Sequence, residues 1–85
     1  MPKPVYSSRR FQIYVSDRPA KKYVAVLANG KRVHFGQRGY DQYKDKLGHY
    51  SKHDHLDLGR RKSYYARHGN ANLYSAKWFS HKFLW

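Results

Sequence analysis

Short β-prone runs, separated by turn-forming residues, occupy the first half of the chain. The run FQIYV at residues 11–15 is a candidate strand. Further along, KYVAVLA and KRVHFG flank Asn29-Gly30, a residue pair that accepts positive φ at both central positions of a type I′ turn. We therefore predict a β-hairpin over residues 22–36. Because an isolated hairpin is marginal in water, residues 11–15 or a helix must cover one of its faces.

Helical signals are confined to the second half. Residues 36–59 contain four glycines without a sustained period, which predicts a long loop. Asp57 is positioned to cap a helix that starts near Leu58 and ends at His68, with Gly69 as its stop. Asn70 or Asn72 is expected to cap a second helix over residues 73–83. The apolar residues of that helix recur at helical spacing: Leu73, Ala76, Trp78, Phe79 and Phe83.

These elements predict an α+β fold, in which a β-hairpin or small three-stranded antiparallel sheet is packed by two short C-terminal helices. Residues 1–10 form an expected basic extended arm, and residues 11–85 a single small domain containing the loop at 36–59. The 85-residue chain has no cysteine, so disulfides cannot support its core. Nine tyrosines compensate for sparse aliphatic residues, since each buries a ring and keeps a polar tip.

Charge narrows the classes of partner. Eighteen Lys and Arg face five Asp, giving a formal net charge of +13. The segments 1–38 and 60–85 carry net charges of +8 and +6, and 39–59 is near neutral. Such an imbalance predicts a polyanionic or strongly acidic partner. The candidate contacts are basic residues interleaved with tyrosines: Arg9, Arg10, Lys21, Lys22, Lys31, Arg32, Arg38, Arg60, Arg61, Lys62 and Arg67.

Neither base-specific recognition nor catalysis is indicated by these residues. Phosphate contact needs many cations and little geometry, so binding is expected to be non-specific. The start of the helix at Arg60-Arg61-Lys62 also suggests unpaired backbone N–H groups for phosphate. We expect Tyr64 and Tyr65 to bury their rings while the arginines point outward. The apolar ending KFLW makes Phe83, Leu84 and Trp85 candidate contacts with a protein partner, unless Trp85 seals the core.

A histidine-rich stretch, HYSKHDHLD, leaves a metal site open as an alternative. Its possible ligands are His49, His53, Asp54, His55 and Asp57, but their spacing matches no established metal motif. A hydrogen-bonded polar loop is the preferred interpretation, and no cofactor or metal is expected. The set His55, Asp57, Arg60 and His68 could suggest phosphodiester chemistry. With no Glu and no Gly-rich phosphate loop, we expect no enzymatic activity.

The stretches VHFGQRGYDQY, HLDLGRRKSYYARH and AKWFSHKFLW resemble a family of small basic proteins encoded by nucleocytoplasmic large DNA viruses. The resemblance covers residues 22–85. The matching positions are Asn29-Gly30, Phe35-Gly36, Gly39-Tyr40, Tyr43, His55, Asp57, Arg60, Tyr64, Arg67-His68, Trp78, Ser80 and Leu84-Trp85. The chain departs from the pattern at KDKLGHYSKHD, which looks like an insertion, and at GNANLY, which replaces an acidic residue and a tryptophan.

This resemblance implies a viral origin and a role in the virion, without a mechanism. The expected function is a non-enzymatic structural component of a large double-stranded DNA virus particle, a minor capsid or core protein. Its basic surface would contact a polyanion or acidic protein neighbours. The alternatives are a free-standing, non-specific DNA-condensing protein and a ribosomal-protein-like RNA binder. The expected locations are the virion, and the host cytoplasm or nucleus during assembly, with no membrane span.

Overall fold

Over the residues that the structure describes, the chain forms a four-stranded antiparallel sheet followed by two α-helices. The computed structural model describes residues 3–85, so the first two residues of the predicted arm lie outside it. The strands follow one another in the order of the chain. They are β1 (Tyr6–Ser7), β2 (Phe11–Val15), β3 (Lys21–Leu27) and β4 (Arg32–Gln37). The helices are α1 (Leu58–His68) and α2 (Ala76–Phe83), and the predicted α+β class is confirmed.

The sheet has one strand more than the largest sheet predicted. Tyr6 pairs with Ile13, and Ser7 pairs with Gln12, so part of the predicted extended arm is the edge strand of the sheet. The side chain of Ser8 supports the tight return to β2, because its hydroxyl accepts hydrogen bonds from the main-chain N–H groups of Arg10 and Phe11. The strand at residues 11–15 and the hairpin that follows it are confirmed.

The chain divides into two compact units. The sheet unit ends at Arg38, and the helical unit is Gly39–Trp85. In the sheet unit, the register brings Ile13 opposite Ala25 and Tyr23 opposite Phe35. All four of these side chains are buried. The rings of Tyr23 and Phe35 stack at 5.7 Å between centroids. The core of this unit is therefore built on β3 and its two neighbours. That residues 11–85 form one domain stays a prediction.

The hairpin turn differs from the predicted type I′. The oxygen of Leu27 accepts the N–H of Gly30 at 2.9 Å, so Ala28 and Asn29 are the central residues of the turn. Gly30 follows with φ +88°, whereas Asn29 is not among the positive-φ residues of the described chain. This arrangement matches a three-residue loop closed by a left-handed glycine. The glycine is needed, but one position later in the turn than the sequence suggested.

Both helix predictions locate real helices, with one boundary wrong. Asp57 caps α1 and Gly69 ends it at φ +61°, as predicted. The second helix begins at Ala76 and not at residue 73, because Tyr74 has φ +60° and the Ser75 hydroxyl accepts the N–H of Trp78. The caps predicted at Asn70 and Asn72 are therefore wrong. The buried apolar side chains of the helical unit are Tyr64, Phe79, Phe83 and Leu84.

Candidate polyanion-binding surface

The predicted phosphate contacts do not share one environment. Lys22 is 1% exposed and so cannot meet a partner in this fold, which corrects its assignment to the surface. Lys21 and Arg61 are half-buried. The remaining eight are exposed: Arg9, Arg10, Lys31, Arg32, Arg38, Arg60, Lys62 and Arg67. Of these, Lys31 and Arg32 lie at the hairpin turn of the sheet unit, and Arg60, Lys62 and Arg67 lie on α1.

Arg38 is held by the main chain of its own unit, although it is exposed. Its Nε donates to the oxygen of Lys21 at 2.8 Å, and its Nη2 donates to the oxygen of Ser16 at 3.0 Å. These hydrogen bonds link Arg38, the residue that follows β4, to the start of β3 and to Ser16. Its charge still contributes to the field of the sheet unit, but its donors are committed to structure.

Arg61 has the same kind of role in the helical unit. Its Nε donates to the main-chain oxygen of Trp85 at 2.7 Å. Its guanidinium also lies 5.3 Å from the ring centroid of Tyr43 and 5.1 Å from that of Tyr65. The expectation that the arginines of α1 point outward is therefore wrong for this one. Neither Arg38 nor Arg61 could have been separated from the other arginines by composition, because their partners lie 17 to 24 residues away along the chain.

Two aspartates of the helical unit, Asp45 and Asp54, accept hydrogen bonds from the chain itself. Asp45 is 4% exposed and accepts the N–H groups of Leu47 at 2.8 Å and Tyr50 at 2.7 Å. Asp54 Oδ1 accepts the N–H of Asp45 at 2.8 Å and the side-chain amide of Gln42 at 2.5 Å. These bonds give the segment predicted as a loop a fixed structure. They also withdraw the carboxylate of Asp45, and part of that of Asp54, from the surface, so the exposed surface is more basic than the near-neutral composition of residues 39–59 suggests.

The carboxylate of Asp57 also accepts hydrogen bonds from the chain, and this changes the phosphate contact expected at the start of α1. Its Oδ1 accepts the N–H groups of Gly59 at 2.9 Å and Arg60 at 3.2 Å. Its main-chain oxygen accepts the N–H of Arg61 at 3.0 Å. The unpaired backbone N–H groups expected there are therefore already bonded, and a phosphate on α1 must be met by side chains.

A groove of about 490 Å³ runs along one side of α1. Its cationic walls are Arg60 and Arg67, with Ser63 between them in the sequence. The remaining lining residues are Asp57, Gly59 and Trp85. Ser63 was not singled out in the sequence, although its position three residues after Arg60 and four before Arg67 places all three on one helical face. Applying the helical period to polar as well as apolar residues would have found it.

The expected protein-partner residues at the end of the chain mostly face inward. Phe83 is 5% exposed and Leu84 is 2% exposed, so neither presents its side chain to a partner in this fold. Trp85 is half-buried and stacks on Tyr64, with 4.2 Å between ring centroids and an interplanar angle of 3°. The alternative that Trp85 helps to close the core therefore describes this position better than contact with a partner.

The two tyrosines of α1, Tyr64 and Tyr65, differ in burial. Tyr64 is 8% exposed, as expected, whereas Tyr65 is only half-buried. Burial, with a smaller effect of Tyr65, raises the pKa of the Tyr64 hydroxyl to about 12. Both rings contact His81, whose Nδ1 lies 3.0 Å from the Tyr64 hydroxyl. The aromatic rings around α1 are thus mainly a packing cluster, and few of their faces remain for stacking on bases.

Two histidines of the 49–57 stretch, His53 and His55, make hydrogen bonds within the helical unit. His53 Nδ1 lies 3.3 Å from Asp41 Oδ1. His55 Nδ1 accepts the N–H of Asp57 at 3.0 Å, which places the proton of its neutral ring on Nε2. Within residues 3–85, no three His or Asp side chains converge in a way that could hold a metal ion. The fourth member of the suggested catalytic set, His68, contacts the ring of Tyr64, with 4.4 Å between ring centroids and an interplanar angle of 43°.

Neither of the two α-helices in the described chain has the length and apolar character required to cross a lipid bilayer. No curated protein matches the chain. No solved structure matches it either. A family model does match, over residues 11–68, which is more than half of the chain and takes in the sheet from β2 to β4 and the whole of α1. The chain therefore belongs to the family of unknown function DUF5754.

Proposed function

We propose that this protein is a non-enzymatic, polyanion-binding structural protein. The observation that carries the proposal is the separation of charge in the helical unit. Residues 58–85 contain six cations and no acid, and the carboxylates of Asp45, Asp54 and Asp57 accept internal hydrogen bonds. A surface left with exposed Arg and Lys repels itself, and association with a polyanion relieves this repulsion and releases counterions.

Within this class, we favour a structural component of a large double-stranded DNA virus particle, a minor capsid or core protein. The support is the resemblance over residues 22–85 described above. Its basic surface would contact the viral genome or acidic protein neighbours in the virion. A free-standing DNA-condensing protein is the second candidate, since the same exposed cations serve it equally well. A ribosomal-protein-like RNA binder is the third, and it differs in preferring RNA over duplex DNA.

The test is fluorescence anisotropy of labelled duplex DNA across a salt series, with two duplexes of unrelated sequence and a duplex RNA. We expect tight binding at 50 mM salt that is indifferent to sequence. If six or more phosphates are contacted, affinity should fall by a factor of about 10³ or more by 200 mM. Preference for the RNA would favour the third candidate. Absence of binding at 50 mM salt would refute polyanion binding and leave only acidic protein partners.

A pair of triple variants separates the predicted contacts from total charge. Lys31, Arg32 and Lys62 are exposed members of the predicted set, and replacing all three with Gln should weaken binding strongly. The control replaces Lys3, Lys44 and Lys52, which are also exposed but were not predicted to make contacts. It removes the same charge, so its effect measures the general field alone. Equal losses in the two triples would contradict the assignment of contacts to residues.

A further inference from the structure

The groove along α1 presents a pair of cations at a defined separation. Arg60 and Arg67 are seven residues apart, close to two full turns, so they lie on one face about 10 Å apart along the helix axis. Ser63 lines the same groove between them and offers a hydroxyl donor. Both arginines are exposed. Within the described residues, neither guanidinium donates to a main-chain oxygen as those of Arg38 and Arg61 do.

Two carboxylates lie near this pair, and one of them, Asp41, forms a weak ion pair with Arg60. Asp41 Oδ2 lies 3.8 Å from Arg60 Nη1, and the two side chains are 48% and 53% exposed. An ion pair this exposed contributes little, so a phosphate can replace it. The carboxylate of Asp57 also lines the groove, but its Oδ1 is bonded to two helix N–H groups. Anions are therefore expected along Arg60, Ser63 and Arg67, away from the Asp57 carboxylate.

Trp85 supplies the remaining wall and limits what can enter. One face of its indole is covered by Tyr64, and the ring of His55 lies 5.2 Å away at a tilt of 56°. A base cannot insert between these rings without displacing them. The groove thus suits a charged backbone passing along the helix better than an unstacked base. The same position makes the indole a sensor of whatever occupies the groove.

We propose that this groove is a phosphate-binding site for a nucleic-acid backbone, in which Arg60 and Arg67 each contact a phosphate and Ser63 donates to one of them. This proposal rests on the proposed polyanion-binding function and gives it a location. Arginine suits the task because its planar fork matches phosphate oxygens in a bidentate way. The site reads no bases, so the sequence indifference expected of the whole protein is retained.

The experiment compares two double variants in a Trp78→Phe background, which leaves Trp85 as the single tryptophan. Arg60→Gln with Arg67→Gln removes the groove cations. Lys44→Gln with Lys52→Gln removes the same charge from exposed positions of the same unit outside the groove. Each is titrated with duplex DNA, a single-stranded oligonucleotide and heparin, across salt, while indole fluorescence is recorded. Urea unfolding checks that both variants remain folded.

With the groove intact, DNA should change the Trp85 emission and bind with the full salt dependence. Loss of the two arginines should weaken binding at least about tenfold at 50 mM salt and reduce the slope of log K against log salt by about two, one for each phosphate. The Lys44 and Lys52 pair should change the slope much less and keep the emission response. Dependence on Arg60 and Arg67 in either the duplex or the single-strand titration supports the site, and dependence in neither contradicts it.

Three results would overturn the proposal in distinguishable ways. Equal losses in the two double variants, with binding otherwise intact, would place the contacts elsewhere and leave the proposed function standing. The same dependence on Arg60 and Arg67 for heparin as for DNA would refute the assignment to phosphate, since heparin carries sulfate and carboxylate. No binding of any polyanion by the unaltered protein would remove the proposed function and the groove together.

Discussion

The substitution Arg61→Lys keeps the charge of α1 and removes the geometry that the structure assigns to Arg61. A lysine has a single compact ammonium on a flexible stem, so it cannot donate from the Nε position to Trp85 while lying over two rings. Arg60→Lys is the matched control, because Arg60 is the preceding residue and its side chain is 53% exposed. Both variants carry the same net charge as the natural chain.

The expected cost follows from the contacts that are lost. A hydrogen bond from a charged donor contributes about 1.5–3 kcal/mol. Each cation–π contact at a partly exposed site adds about 0.5–1 kcal/mol. Allowing for the ammonium's residual contacts, Arg61→Lys should lower the free energy of unfolding by about 2–3 kcal/mol. A chain of this size has about 4–13 kcal/mol in total, so the loss is a large fraction. Arg60→Lys should stay within about 0.5 kcal/mol.

The assay is urea unfolding followed by tryptophan fluorescence. Both tryptophans, Trp78 and Trp85, lie in the helical unit, so the signal reports the unit that contains Arg61. With a slope of about 1 kcal/mol per M, the midpoint for Arg61→Lys should fall by about 2 M or more. The DNA affinity of the folded Arg61→Lys variant should change little. Equal midpoints for the two variants would refute the structural role of Arg61 and return it to the set of predicted phosphate contacts.

Two further predictions concern a buried carboxylate and a half-buried histidine. In Asp45→Asn, the side-chain NH₂ group faces the N–H of either Leu47 or Tyr50, so the free energy of unfolding measured in urea should fall by about 1–3 kcal/mol. The control, Asp41→Asn at an exposed position, should change it by less than about 1 kcal/mol. Similar losses in both variants would contradict the role of Asp45. Burial, followed by the positive charge of Arg18, lowers the pKa of His34 below 6.5, so the stability it contributes is present above pH 6.5 and lost as the pH falls through the folded-state pKa. Unfolding midpoints at pH 7.5 and 5.0 should therefore differ less in His34→Gln than in the natural chain, and an unchanged difference would exclude His34 as a source.

Those features that depend on neighbouring residues were predictable from the sequence. The cap at Asp57 and the stop at Gly69 are local, because a carboxylate two or three residues from free N–H groups bonds them whatever lies beyond. The hairpin was located for the same reason. Its turn type was not, because Asn-Gly fits both a two-residue and a three-residue loop and the strand register decides between them.

Features that depend on distant partners were missed. Lys22 lies next to Lys21 and looks like a surface lysine in the sequence, yet it is buried in β3, an inner strand of the sheet. The strand β3 has neighbours on both sides and buried residues on both faces, which no local pattern shows. The fixed structure of residues 39–59 likewise depends on Gln42 and Asp45, whose acceptors and donors lie up to 12 residues away. Sequence composition marks these residues only as polar.

The arginines show why sequence alone could not assign the candidate site: composition counts every guanidinium as one positive charge. The structure divides them by what their N–H groups meet. Arg38 and Arg61 donate to main-chain oxygens of their own units, and Arg60 and Arg67 line an open groove. Only the second pair can give its donors to a partner without cost to the fold. Substituting each arginine with lysine therefore separates the roles, because stability should fall for the first pair and phosphate recognition for the second.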